Sequence, residues 1–141
     1  MSRILAIDYG KKRTGIAVSD PAKIIASALT TVQTNELMSF LEGYIEKENV
    51  DTIVIGEAKQ MNNTDSESMV IIRPFFEKLT KRFPDCHVLL FDERFTSKMA
   101  FQAMIDGGLK QKARRDKAMV DMVSATILLQ SYMESIQNKK A

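Results

Sequence analysis

The stretch Ile4-Leu5-Ala6-Ile7-Asp8-Tyr9-Gly10-Lys11-Lys12-Arg13-Thr14-Gly15-Ile16-Ala17-Val18 decides the fold. Two uninterrupted apolar runs, Ile4 to Ile7 and Gly15 to Val18, flank a short polar turn, the pattern of a hairpin whose strands are covered on both faces. A third strand is expected within Ile24 to Val32, where β-branched residues are dense after the turn at Asp20-Pro21. Leu37, Phe40, Leu41, Tyr44 and Ile45 then fall at helical spacing, with Thr34 or Asn35 as the expected N-cap. Thr52 to Ile55 predicts a fourth strand ending at Gly56. The stripe Met69, Ile72, Phe76, Leu79 and Phe83 predicts a second helix, capped by Thr64 or Asp65 and kinked or begun at Pro74. Val88 to Phe91 is the fifth strand. A short helix capped by Thr96 or Ser97 and closed by Gly107-Gly108 follows, and a long helix from Asp116 onward carries Val120, Val123, Ile127 and Leu128. The order βββαβαβαα makes an α/β fold. Its five-stranded sheet is mixed, with an antiparallel start and later strands that are parallel and reached by helical crossovers.

A chain of 141 residues, 45% hydrophobic and 27% charged, predicts one domain that spans the chain with its own core. With one cysteine, Cys86, and neither a leader pattern nor a long apolar span, the expectation is a reducing cytoplasm and no membrane partner. The net charge of +2 says little about partners, but its distribution says more. Cations gather at Lys11, Lys12 and Arg13, and again at Lys110, Lys112, Arg114, Arg115 and Lys117, with acids almost absent from either run. Each run alone reads as a solvated loop; both together, beside acids suited to a metal, point to a polyanionic substrate.

Asp8 ends one strand, Glu93 follows the end of another, and Asp121 shares a helix stripe with Ala125, Leu128 and Tyr132. A carboxylate on a core-facing stripe needs a partner, so Asp121 is expected to be paired or bound to a cation. Strand ends are where functional groups collect in such sheets. Three hard oxygen donors brought together suit Mg²⁺ or Mn²⁺, which can activate water against a phosphodiester. Other readings stand beside this one: Asp8 as a turn former, Asp92-Glu93 as a helix cap, Asp121 as the counter-ion of a buried arginine. Glu57, directly after the fourth strand, is a further candidate ligand or a surface ion-pair partner. His87 and Cys86 read as packing residues, and the nine methionines as core filler.

Ala6 to Asp20 resembles the opening of the YqgF/RuvX family, and the resemblance continues at Asp92-Glu93-Arg94-Phe95-Thr96-Ser97 and at Val120-Asp121 with Ser124-Ala125 and Ile127 to Gln130. Members are described as nucleases of the 16S rRNA precursor and, earlier, as Holliday junction resolvases. The resemblance implies a ribonuclease-H-like sheet with helices on both faces, and Asp8, Glu93 and Asp121 as metal-binding catalytic acids. It also implies a role in maturing the 5′ end of that precursor. Lys11, Lys12, Arg13, Arg94, Arg114 and Arg115 are then expected to hold substrate phosphates. One motif departs: Gly56 to Thr64 stands where the family carries Gly-Leu-Pro and a later Asp-Gly.

Pre-rRNA and branched DNA both remain as substrates. Junction cleavage requires a dimer, whereas strand trimming needs only a monomer. Two rivals are a nucleic-acid-binding assembly factor without catalysis and an ATP-using enzyme. Asp8-Tyr9-Gly10 also resembles the phosphate-binding hairpin of the actin, hexokinase and Hsp70 group. Those enzymes close two such domains on a nucleotide, and 141 residues supply one.

Overall fold

A computed structural model describes residues 2–57, 67–92 and 117–140 of the chain. Five strands form one sheet: β1 (Arg3–Asp8), β2 (Arg13–Ser19), β3 (Ala26–Gln33), β4 (Val50–Glu57) and β5 (His87–Asp92), in the order β3-β2-β1-β4-β5. β1 pairs antiparallel with β2 and β2 with β3, while β1–β4 and β4–β5 are parallel. This is the mixed sheet expected. The described helices are α1 (Leu37–Glu48), α2 (Glu67–Arg82) and α3 (Lys117–Lys140). The short helix expected after Thr96 lies outside the described residues, as do the caps expected at Thr64 and Asp65.

The unbroken apolar runs of β1, β2 and β4 exist because both faces of the sheet are covered. Leu5, Ile7, Ile16, Val18, Ile53 and Ile55 face α1 and α2, meeting Leu37, Leu41, Ile72 and Leu79. Ile4, Ala6, Ala17 and Val54 face the other way, onto Ala125, Leu128, Leu129 and Met133 of α3. The small residues Ala6, Gly15 and Ala17 beneath α3 let the helix lie close to β1 and β2.

One detail differs from the sequence expectation, and one alternative is decided. Helix α1 has no Thr34 or Asn35 cap. A single 3₁₀ turn, Thr34–Glu36, leads into it, with neither its own N-cap, Gln33, nor the α1 N-cap, Glu36, making a side-chain bond. The Thr34 hydroxyl is instead committed to the Gly10 carbonyl. Helix α2 does not begin at Pro74 but runs through it. α1 closes at Asn49, whose left-handed backbone (φ 57°) is a common helix-ending geometry.

Asp51 pins the far end of the sheet. It accepts hydrogen bonds from Ser2 Oγ, from Lys23 Nζ at 2.7 Å and from Thr52 Oγ1 at 2.9 Å. Partial burial pushes its carboxyl up, but these bonds and the Lys23 charge outweigh that and hold it below the ordinary 3.8. A depressed folded-state value means a contribution complete well above pH 3.8 and lost as pH falls through the folded value. Asp51→Asn should therefore melt below the wild type at pH 7, and the gap should close only in acid below that range, read by thermal melts from pH 7 to 2.

Gly15 is where α3 touches β2: a methyl group there would overlap the backbone carbonyl of Asp121. Gly15→Ala should cost about 2 kcal/mol or more, because a rigid helix backbone must move. Gly43, on the exposed side of α1 with open space at its Cβ position, is the control. Gly43→Ala should stabilise by about 0.5–1 kcal/mol. Denaturant melts of the two variants check both signs.

Candidate active site

Asp8 is the last residue of β1 and alternates with Ile4 and Ala6, the residues packed under α3. Its cross-strand partner is Gly15, and over Gly15 lies the backbone of Asp121. Thus two acids far apart in sequence stand on one face of the sheet at the C-terminal end of β1, related through one glycine.

Arg13 lies on that same face, two residues before Gly15. Its Nε donates to Asp121 Oδ2 at 3.2 Å, with the side chains 39% and 26% exposed. At that exposure the pair contributes at most about 1 kcal/mol, so its main effect is to orient both groups. Asp121 is thus a paired acid, as its place on an apolar stripe requires, and its partner is one of the cations expected to meet substrate.

The turn that carries Lys11 and Lys12 is held by a closed ring of hydrogen bonds. Gly10 N–H donates to Thr14 Oγ1 (3.5 Å), and Thr34 Oγ1 donates to the Gly10 carbonyl (2.7 Å). Thr14 and Thr34 hydroxyls are 3.0 Å apart. Since the Thr34 proton goes to a carbonyl, the Thr14 hydroxyl must donate to Thr34. Thr14 is fully buried. A backbone bond from Thr34 N to the Lys12 carbonyl (2.9 Å) ties the turn to the end of β3 as well. Gly10 has its own constraint: a side chain there would overlap the Arg13 carbonyl. The result is a rigid turn whose exposed tips are Lys11 and Lys12.

Among the described residues, two cavities open beside it. One, of about 470 Å³, is lined by Lys11, Lys12, Arg13, Gln33 and Asn35. The other, of about 310 Å³, lies on the α1–α2 side and is lined by Tyr9, Thr34, Asn35, Met38, Ile71, Pro74, Phe75 and Lys78. Burial pushes the Tyr9 phenol up, so it stays protonated at neutral pH.

β5 runs parallel to β1 and β4 and delivers Asp92 to the same sheet end, in register with Glu57. Glu93, Arg94, Arg114 and Arg115 fall outside the described residues. Among the described residues, no group of three His, Cys, Asp or Glu side chains gathers closely enough to hold a metal ion. Cys86 donates to the Val50 carbonyl at 3.2 Å, and burial followed by the Asp51 and Asp85 charges pushes its thiol up, as a packing residue requires. His87 is exposed at the start of β5 rather than packed. The sequence did not single out Thr14, Thr34, Gln33 or Asn35 as site residues; the available signal was a threonine at the start of β2 and another just past the end of β3, which the antiparallel pairing brings to one end.

The RuvX family, described as Holliday junction resolvase, matches residues 2–135. A Phocaeicola vulgatus protein named "Putative pre-16S rRNA nuclease" is 61% identical over 135 residues, covering 96% of this chain and 97% of its own. Proteins of the same name from Christiangramia forsetii and Porphyromonas gingivalis are 58% and 53% identical, covering 94% and 96% of this chain and 98% of each relative. Among solved structures, T. thermophilus RuvC in complex with Holliday junction substrate superposes with a TM-score of 0.60 at 15% identity over 96% of both chains, which establishes a shared fold. No described helix is long and apolar enough to cross a membrane. By a match that runs through nearly its whole length, this chain belongs to the RuvX family.

Proposed function

We propose that this protein is a divalent-cation-dependent nuclease that hydrolyses phosphodiester bonds, acting in the cytoplasm on the 5′ end of the 16S rRNA precursor. The observation that supports the reading is the pairing of Asp8 with Gly15 and the seating of the Asp121 backbone over that glycine, at the sheet end where the Lys11–Lys12–Arg13 turn also lies. Neither acid sits where the apolar core needs one. Carboxylates gathered at one sheet end are stabilised by nearby positive charge, and Arg13 supplies part of it at Oδ2 of Asp121. Hard carboxylate oxygens are the donor type that Mg²⁺ and Mn²⁺ prefer, so the residues present fit such an ion.

Asp8 and Asp121, with Glu93 just past β5, are the proposed ligands and catalytic residues. A bound ion would lower the pKa of its water and polarise the scissile phosphate. The chain's own part is positioning: the rigid turn presents Lys11, Lys12 and Arg13 to backbone phosphates, and Arg94, Arg114 and Arg115 are proposed as further phosphate contacts from their place in the sequence. The names of relatives at 53–61% identity favour pre-rRNA. The family description keeps branched DNA as the second reading, which requires two copies of the chain acting as a homodimer on two strands.

Asp8→Asn and Asp121→Asn should each reduce cleavage of precursor rRNA fragments to background while the melting temperature holds within a few degrees. Chelation should stop the wild type, and added Mg²⁺ or Mn²⁺ should restore it. Near wild-type cleavage by either variant at saturating Mn²⁺ would remove that acid from the site. Gel filtration alongside a four-way-junction assay separates monomer from dimer.

The phosphate-binding cations carry their own signature. Replacing Lys11 and Lys12 with Ala should flatten the log-log salt dependence of single-strand binding by about 0.7 for each phosphate no longer neutralised. The same measurement on Arg114→Ala with Arg115→Ala tests the second run, where an unchanged slope would leave it a solvated loop.

A further inference from the structure

The two cavities beside the turn share Asn35, yet their linings are unlike. In the larger one Lys11, Lys12 and Arg13 converge with no acid among the lining residues. The smaller joins apolar and aromatic walls, Tyr9, Met38, Ile71, Pro74 and Phe75, to the polar groups of Thr34 and Asn35. The ring of Tyr9 stacks on Phe75 with centroids 4.3 Å apart and planes at 20°. Met38, Ile71 and Pro74 form its walls, and Lys78 adds a cation at the rim.

Pro74 is an unfavourable choice for its helix. A proline inside a helix removes a hydrogen bond and costs about 3 kcal/mol, and it stands here in α2 at an exposed position where the core gains little from it. What its rigid ring does provide is a flat apolar wall for this cavity.

A ligand filling both cavities needs a flat, apolar-faced part joined to an anionic part. We propose that they take one unpaired nucleotide of the nucleic-acid strand, with its base in the Tyr9–Phe75 cavity and its phosphate among Lys11, Lys12 and Arg13. About 310 Å³ is within the range of small-ligand sites. A base in a duplex cannot enter, since its faces are stacked and its pairing edge is engaged; an unstacked base on an aromatic surface is how single strands are held. The base would lie on the α1–α2 face of the sheet and the acids on the α3 face, so the strand would pass over the Lys11–Lys12 turn from one to the other. The assignment rests on the nuclease reading only in taking that strand to be the one cut.

The test is fluorescence anisotropy with the full chain and a labelled single-stranded RNA, free of cleavage in chelator, beside the same RNA annealed to its complement. A series of strands carries one abasic nucleotide at each position in turn. One abasic position should weaken binding about fivefold or more, the low end for base stacking on an aromatic. In Met38→Glu, where the new acid near the α1 start suits the helix dipole, that penalty should vanish. Pro74→Ala, which helix propensity favours, should reduce it as well, so the result does not hang on one variant folding. A flat abasic profile, a penalty that keeps its full size in both variants, or a duplex bound as tightly as the single strand would overturn the proposal. Absence of Mg²⁺- or Mn²⁺-dependent cleavage would overturn the nuclease reading instead, and leaves the binding profile to be judged by itself.

Discussion

The approach of α3 to β2 at Gly15 is the constraint on which the site depends. A helix backbone carbonyl occupies the space that any side chain would fill at that position, so the helix is seated directly on the strand rather than on a layer of side chains. That depth is supported by Ala6 and Ala17 beneath Ala125 and Leu128. A larger residue at Gly15 would lift the first turns of α3, and Asp121 with them, away from the end of β1. Packing and chemistry are therefore set by the same contact.

Electrostatics follow from that seating. Bringing Asp121 down beside Asp8 places two acids at one sheet end, and Arg13, projecting from the same face of β2, offsets part of that charge. The turn before Arg13 is made rigid by the threonine ring, in which two hydroxyls and one glycine peptide satisfy one another. Cations on a rigid turn lose less conformational entropy on meeting a phosphate than cations on a loose loop. The far end of the sheet is held by a separate device, the Asp51 cluster with Ser2, Lys23 and Thr52.

A sheet covered on both faces gives the two sides different tasks. On the α3 side small residues permit a close approach and leave acids at the rim. On the α1–α2 side the large residues Tyr9, Ile71 and Phe75 leave a cavity where the 3₁₀ turn enters α1. The Lys11–Lys12 turn lies between them.

Much of this was legible in the chain alone, because it depends on local periodicity. The apolar runs around Asp8 and Gly15 define a hairpin, the spacing of Leu37 to Ile45 defines a helix, and an acid at position 121 on an apolar stripe demands a partner. What local pattern cannot supply is which partner. The Arg13–Asp121 pair joins residues 108 apart, and either residue would satisfy the same rules with another counter-ion. Thr34 is the clearest case. Its local setting favours a helix cap, but a hydroxyl has one proton to give, and the peptide at Gly10, brought near only by the pairing of β2 with β3, takes it. Sequence determined the elements and the residues needing partners; tertiary structure decided the partners, since long-range proximity is a property of the packed sheet and helices together.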